Sequence, residues 1–151
     1  MPFYKKRCKN IWLLFTNQLT LQVNIIKMGN KRKYLRHILP FKHYFRDFKR
    51  TLSKDVLMKI YQVFMYIMTV ERVPTKFLKN VEGVKDLYEI RVEHESNIYR
   101  IFCCFDDGNL VILFNAFQKK TQKTPHTEIE RAKKIKDEYF KAKELLTEKQ
   151  I

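Results

Sequence analysis

The chain has 151 residues, of which 31 are Lys or Arg and 16 are Asp or Glu, so its formal net charge at pH 7 is +15. Apolar residues make up 45% and aromatic residues 14% of the sequence, with only three Gly and four Pro, which excludes a disordered, collagen-like or low-complexity chain. This length predicts one domain with its own core, and the charge indicates a polyanionic partner such as a nucleic acid or an anionic membrane face.

The first 27 residues form a basic leader with five basic side chains and no acid. Their basic start and short apolar run imitate a signal peptide, but the run ends after Phe15 and no small-residue cleavage site follows. A transmembrane helix needs about 20 mostly apolar residues, and polar residues interrupt this stretch. We interpret the leader as translated from an upstream start codon, with Met28 rather than Met1 as the true start, or as a disordered extension of a cytoplasmic protein.

Residues 28–50 combine a predicted strand, a predicted helix and much of the positive charge. The strand covers residues 33–39 and is ended by Pro40. Aromatic residues then recur at the spacing of one helical face, which predicts a short helix with a buried side: Phe41, Phe45 and Phe48. Eight basic side chains and one acid give the segment a net charge of +7, which indicates either contact with an RNA backbone or a generic basic surface.

The clearest predicted helix begins after Ser53, a good N-cap, and has Asp55 in its first turn, where the helix dipole favours an anion. Apolar residues then repeat every three or four positions, and the helix is expected to end before Pro74. The two helices form an αα-hairpin whose apolar side needs a sheet or a partner to cover it.

From Leu87 the apolar period falls from 3.6 to about two residues, which predicts an antiparallel meander. Strands are expected at 87–93, 98–105 and 110–117, joined by turns that contain His94-Glu95-Ser96-Asn97 and Asp106-Asp107-Gly108-Asn109. The strands are too apolar to be solvated on both faces, so helices are expected to cover one of them.

A third helix is predicted after the meander, with Thr124 as N-cap and Pro125 at its first position. The predicted fold class is therefore α+β: an N-terminal strand and a two-helix hairpin packed on a small antiparallel sheet, followed by a C-terminal helix. The expected organisation is a leader at 1–27, a single domain at 28–146 and a tail at 147–151.

One residue of the meander carries a charge in an apolar strand. Arg100 lies in an otherwise apolar strand, so it is expected either to meet a carboxylate such as Glu89 or to open onto a cleft, because an unpaired buried charge is costly.

The chain has three cysteines, which cannot form a closed disulfide framework: Cys8, Cys103 and Cys104. No His completes a zinc pattern with them. We interpret them as buried thiols in a reducing compartment and predict no metal site.

Three stretches together resemble the phage-derived HigB-type toxins of the RelE/ParE superfamily, which belong to bacterial toxin–antitoxin modules. They are residues 87–92 (LYEIRV), 99–102 (YRIF) and 117–125 (FQKKTQKTP), the last followed by Glu128-Ile129, and the similarity covers about residues 31–140. The resemblance implies a RelE/ParE-like fold and a ribonuclease that cuts mRNA, usually on the translating ribosome. Such an enzyme uses no metal or other cofactor and is silenced by a helix-turn-helix antitoxin.

The implied reaction is attack of a ribose 2′-OH on the adjacent phosphate, which requires a base, an acid and cations around the phosphorane. By resemblance, Arg100 binds the scissile phosphate, and Lys119 and Lys120 stabilise the phosphorane or transfer a proton. Arg91 matches a basic position on the first meander strand, and His126 matches an acid or base-stacking group. Backbone phosphates are expected to contact four further cations: Lys123, Lys42, Arg46 and Lys49.

Each assignment has a structural alternative. Arg100 and Arg91 could serve only in ion pairs, Lys119 and Lys120 could form an ordinary solvated turn, and His126 could be an ordinary surface residue. Two other functions also remain open for the same fold. ParE-like members of the superfamily act on DNA gyrase, and a chain without activity could still bind nucleic acid or an antitoxin.

Overall fold

The computed structural model describes residues 33–149, so the predictions for residues 1–27, including the choice between Met1 and Met28, lie outside the described residues. These residues fall into two compact units, 33–137 and 138–149. No helix among them is long and apolar enough to cross a membrane. The elements are β1 (His37–Pro40), α1 (Tyr44–Lys49), α2 (Lys54–Thr69), β2 (Leu78–Asn80), β3 (Tyr88–His94), β4 (Asn97–Asp106), β5 (Leu110–Lys119) and α3 (His126–Glu148).

The predicted α+β fold class is confirmed. The strands form one five-stranded sheet in the order β1-β5-β4-β3-β2. Strands β2 to β5 pair antiparallel with their neighbours, and β1 pairs parallel with β5. The predicted meander is therefore the centre of the sheet, with β5 two residues longer than expected. Strand β2 was not predicted, because three residues with one apolar side chain carry no readable period.

The first strand is shorter than the predicted 33–39, and it includes Pro40. The backbone N–H groups of Leu35 and Arg36 donate to the carbonyl of Met68, at 2.7 and 3.3 Å, so this stretch is tied to the end of α2 and not to the sheet. Pro40 is tolerated because it is the last residue of an edge strand, where a missing N–H costs little.

Arg36 caps the end of α2, where backbone carbonyls have no partner within the helix. Its guanidinium donates to one carbonyl of the last turn and to two that directly follow the helix, at 3.0, 2.6 and 2.6 Å: Ile67, Val70 and Glu71. We expect Arg36→Ala to lower the free energy of unfolding by about 2–3 kcal/mol, because hydrogen bonds to a charged group are among the stronger ones. Urea denaturation would measure this, with exposed Lys79→Ala as the control; equal stabilities would contradict it.

The two predicted helices of the hairpin are confirmed. Ser53 caps α2 through its Oγ, which accepts from the N–H of Val56 at 3.4 Å, and the helix ends before Pro74 as expected. Phe45 is buried against Phe64, with ring centroids 5.6 Å apart. Phe48 meets Tyr99 of β4 at 6.5 Å, so the hairpin covers the face of the sheet to which Tyr99 points.

The register between β4 and β5 shifts between Ile101 and Cys103, as in a β-bulge that places an extra residue in β5. Cys103 and Cys104 beside it are fully buried, which confirms the prediction of buried thiols for these two, whereas Cys8 lies outside the described residues. Burial raises the pKa of the Cys103 thiol well above its ordinary value, and the neighbouring Cys104 adds to the shift. Within residues 33–149 no group of three or more His, Cys, Asp or Glu side chains could hold a metal ion.

The last helix begins at His126, directly after the predicted Thr124-Pro125 start, and continues to Glu148. Near its beginning, the Asn115 side-chain amide of β5 donates to the backbone carbonyl of Glu128 at 3.1 Å and to its carboxylate at 2.8 Å. About two turns further on, Lys136 donates to the carbonyl of Lys85 at 2.6 Å, just before β3. The first part of α3 therefore runs from β5 towards the start of β3.

Candidate functional site

Two arginines meet at the centre of the sheet. Arg91 of β3 and Arg100 of β4 are directly opposite in the antiparallel register, so both side chains lie on the same face. Like charges in this arrangement repel each other. The carboxylate of Glu89, on the same face of β3, separates them: its Oε1 lies 3.6 Å from Arg91 Nε and 3.7 Å from Arg100 Nε. We call these three residues the arginine cluster.

The members of the arginine cluster differ in exposure. The side chain of Arg100 is 2% exposed, that of Glu89 is 12% exposed and that of Arg91 is 30% exposed. Burial lowers the pKa of Arg100, and the neighbouring Arg91 lowers it further, whereas Glu89 and Glu93 raise it. The guanidinium nevertheless remains a cation at neutral pH, because the ordinary pKa of arginine lies so far above 7.

The arginine cluster has unused hydrogen-bonding capacity. Arg100 Nη1 donates to the backbone carbonyl of Tyr99 at 3.1 Å, and Arg91 Nη1 lies 3.5 Å from the carbonyl of Thr75. The Nε donors of both arginines are buried and have no hydrogen-bond partner among residues 33–149. The cluster thus holds two cations against one anion and can accommodate a further acceptor, such as a phosphate oxygen.

The predicted ion pair between Arg100 and Glu89 is confirmed by this geometry. The pairing was expected as one way in which an arginine could be accommodated in an apolar strand. Contact of Arg100 with a scissile phosphate stays a prediction, as does the role assigned to Arg91.

The basic turn begins at Lys119, two residues beyond the position of β5 that is opposite Arg100. Lys119, the last residue of β5, is opposite Ile98 of β4, and Phe117 is opposite Arg100. By the alternation of a strand, Lys119 lies on the same face as Arg100. Lys120 and Lys123 follow in the exposed turn, where the Thr121 hydroxyl donates to the carbonyl of Lys123 at 2.9 Å.

The contact that His126 makes is with a carboxylate of its own helix. Its side chain is 84% exposed at the first position of α3, and its Nε2 is 3.6 Å from Glu130 Oε1, one helical turn further on. A hydrogen bond from Lys133 holds the pKa of the Glu130 carboxyl below its ordinary value. The positive charges of Lys133, His126 and Lys134 lower this pKa further by smaller amounts. The expected role of His126 in proton transfer or base stacking stays a prediction.

The predicted RNA contacts of the first helix lie on the other side of the sheet from the arginine cluster, because α1 packs on the face of Tyr99. Lys42 Nζ lies 5.2 Å from the ring centroid of Phe41, and Arg46 Nε is 3.8 Å from Asp47 Oδ1. Burial lowers the pKa of the Lys49 ammonium, with a further contribution from its neighbour Arg50. Arg46 and Lys49, which belong to α1, are therefore separated from the arginine cluster by the sheet.

Sequence reasoning did not include two polar residues of the central sheet among the site residues. Strand alternation puts Glu89 on the face of Arg91, but its contact with both arginines depends on the register. Asn115 is 1% exposed and fixes the start of α3, while its Oδ1 has no hydrogen-bond partner among the described residues. Its only signal was a lone amide in an otherwise apolar strand.

The sequence is similar to a family of phage-derived proteins. No curated protein matches it. The family model described as "Phage derived protein Gp49-like (DUF891)" matches residues 44–137, which is more than half of the chain and includes the arginine cluster and the basic turn. This family is one of toxins of type II toxin–antitoxin systems, which act with an antitoxin partner. The chain therefore belongs to the phage-derived Gp49-like family of toxins.

Proposed function

We propose that this toxin is a metal-independent endoribonuclease that cleaves mRNA on the translating ribosome. The observation that carries the proposal is the arginine cluster, with two unused Nε donors on the sheet face that also bears Lys119. The resemblance to HigB-type toxins supports mRNA as the substrate and the translating ribosome as the place of cleavage. We further propose that the protein acts in the cytoplasm and that its antitoxin is a helix-turn-helix protein.

Charge stabilisation is the part of the reaction that the arginine cluster suits best. Attack of the 2′-oxygen forms a phosphorane with additional negative charge, which fixed donors in a water-poor site stabilise strongly. Arg91 is exposed enough to meet a phosphate, and buried Arg100 holds a second positive charge behind it. A phosphate oxygen that accepts from the Nε groups would compete with Glu89 for both guanidinium ions.

Proton transfer belongs to the basic turn in this proposal. A base removes the proton of the 2′-OH as the 2′-oxygen bonds to phosphorus. An acid protonates the 5′-oxygen as its bond to phosphorus breaks, which leaves a 2′,3′-cyclic phosphate and a free 5′-OH. We assign these roles to Lys119, Lys120 and His126 without distinguishing among them, and Lys123 to a flanking phosphate.

Simultaneous replacement of Lys119 and Lys120 by alanine is expected to relieve growth arrest in bacteria that express the toxin without antitoxin. Loss of charge stabilisation and proton transfer should lower the rate of mRNA cleavage at least about 100-fold. Cleavage would be measured in a reconstituted translation reaction, with chemical identification of the cyclic phosphate ends. The matched control replaces two other exposed lysines, Lys79 and Lys134.

The same experiment separates the alternative functions. Full cleavage by the double variant would contradict the assignment of the basic turn. Intact mRNA together with a DNA-damage response would favour the action of ParE-like members on gyrase. Binding of RNA with a steep salt dependence, without cleavage on ribosomes, would indicate a non-catalytic binding module.

A further inference from the structure

The basic turn lies at the tip of a long loop. The chain runs along β5 from Asn115 to Lys119, passes through the turn and enters α3 at His126. The turn is exposed, and the hydrogen bond found within it runs from the Thr121 hydroxyl to the carbonyl of Lys123. Its position therefore depends on how the two ends of the loop are fixed.

A contact between side chain and helix closes this loop at its base. The Asn115 amide nitrogen donates to two oxygens of Glu128, the backbone carbonyl at 3.1 Å and the carboxylate Oε2 at 2.8 Å. The two residues are 13 positions apart, so the contact ties β5 to the first turn of α3. The bond to the carboxylate is charge-assisted, and such bonds are roughly twice as strong as those between neutral groups. We call Asn115 and Glu128 the loop clamp.

The bulge in β5 gives Asn115 its place in the loop clamp. Between the pairs Ile101–Ala116 and Cys103–Leu113, β4 has one residue and β5 has two, the second of which is Asn115. An extra residue in a strand changes the direction of a side chain, and bulges are over-represented next to active sites. Because Asn115 is 1% exposed, packing holds its amide in one place, where it can anchor the start of the helix.

The loop clamp lies close to the groups to which we assign proton transfer. Lys119 follows Asn115 by four residues on β5, and His126 precedes Glu128 by two residues in α3. The arginine cluster belongs to β3 and β4, whose pairing does not involve the loop. A displacement of the start of α3 would therefore move His126 and the basic turn relative to the arginine cluster.

We propose that Asn115 is a positioning residue for RNA cleavage, which rests on the proposed function: it sets the distance between the basic turn and a phosphate bound at the arginine cluster. A proton-transfer group must come within hydrogen-bond reach of the atom on which it acts. A misplacement of about 1 Å can lower an enzymatic rate about 100-fold. Asn115 is too buried to touch the RNA, so it acts through Glu128 and the turn.

Asn115→Asp tests the loop clamp with almost no change in side-chain size. The new carboxylate has no N–H to donate and lies beside that of Glu128, so repulsion opens the clamp. We expect the single-turnover rate of mRNA cleavage on ribosomes to fall about 100-fold at neutral pH. Affinity for the programmed ribosome should change less than about threefold, since the clamp does not contact the substrate. A lower pH should restore part of the rate, because one of two adjacent carboxyl groups then binds a proton and can donate.

A second substitution provides the rescue. Glu128→Gln in the Asn115→Asp background removes the repulsion and supplies an amide that donates to the new carboxylate, so the clamp forms again with donor and acceptor exchanged. We expect the double variant to cleave about tenfold faster than Asn115→Asp, a coupling typical of residues in contact. The matched control is Asn80→Asp, an exposed position on the edge strand, which should cleave at the wild-type rate.

NMR relaxation of the full-length protein separates this inference from the proposed function. Backbone order parameters of residues 120–124 are expected to fall below about 0.6 in Asn115→Asp and to recover in the double variant, whether or not the protein cleaves RNA. Unchanged order parameters in Asn115→Asp would contradict the loop clamp itself. A wild-type protein that never cleaves RNA would contradict the proposed function and the positioning role with it, while order parameters that fall and recover would still support the clamp.

Two results on activity would overturn the positioning role alone. One is a folded Asn115→Asp protein that cleaves at the wild-type rate. The other is a loss of activity that Glu128→Gln does not reverse, which would indicate that Asn115 matters only for packing. If Asn115→Asp does not fold, wild-type cleavage by Glu128→Ala would overturn the role equally.

Discussion

Arg100→Ala is expected to abolish detectable mRNA cleavage and the growth arrest that follows from it. Loss of one fixed donor to a developing negative charge commonly lowers a rate about 10²- to 10³-fold. Arg100 is placed to contribute here because its buried guanidinium holds a fixed positive charge behind the more exposed Arg91. Cleavage would be measured on programmed ribosomes under single-turnover conditions, so that a change in the chemical step is not hidden by product release.

The control for Arg100→Ala is Arg72→Ala, which removes an exposed arginine far along the chain from the sheet centre. Arg100→Lys keeps the charge but not the planar fork of donors, so we expect it to retain the fold and only a small part of the activity. A folded Arg100→Ala protein that cleaves at the wild-type rate would contradict the assignment. If that variant does not fold, wild-type cleavage by Arg100→Lys would contradict it equally.

Glu89→Ala is expected to lower the free energy of unfolding by about 3–5 kcal/mol, the usual effect of removing one partner of a buried ion pair. The substitution leaves Arg91 and Arg100 facing each other without the carboxylate that lies within 4 Å of both. Urea denaturation at constant pH and ionic strength would measure the change. The matched control is Glu93→Ala, which removes a more exposed carboxylate from the same face of the same strand and should cost less than about 1 kcal/mol.

Inorganic phosphate gives a second measurement on Glu89→Ala. An anion that occupies the vacated position would stabilise the variant by mass action, and it would stabilise the wild-type protein less because Glu89 competes with it. We therefore expect the melting temperature of Glu89→Ala to rise more steeply with phosphate concentration than that of the wild type. Equal stability of Glu89→Ala and Glu93→Ala would contradict the interpretation of Glu89 as the shared counter-ion.

The sequence predicted the fold best where structure follows from local pattern. The hairpin helices, the Ser53 cap and the meander depend on apolar period and turn residues, and all three are confirmed. The short β2 strand and the shortened β1 strand depend on distant partners. Directly before β1, Arg36 bonds to carbonyls more than 30 residues away, which no local pattern indicates.

The candidate site could likewise be predicted only as far as local pattern determines it. Alternation along β3 placed Glu89 and Arg91 on one face, and the short turn after His94 makes Arg91 opposite Arg100. The bulge in β5 has no glycine to mark it, so the position of Asn115 under the start of α3 could not be predicted. The division of the cations between two sides of the sheet follows from packing of the helices, which charge counts along the chain do not contain.

The parallel pairing of β1 with β5 has a consequence for synthesis of the toxin. His37 lies beside Leu110, so the N-terminal strand must wait for about 70 further residues before its partner exists. At about 5–20 residues per second, this wait is roughly 4–15 s. Lys119 is made only nine residues after Leu110, at the end of the same strand. The sheet therefore cannot close around β1 until the strand that ends in the basic turn has been made.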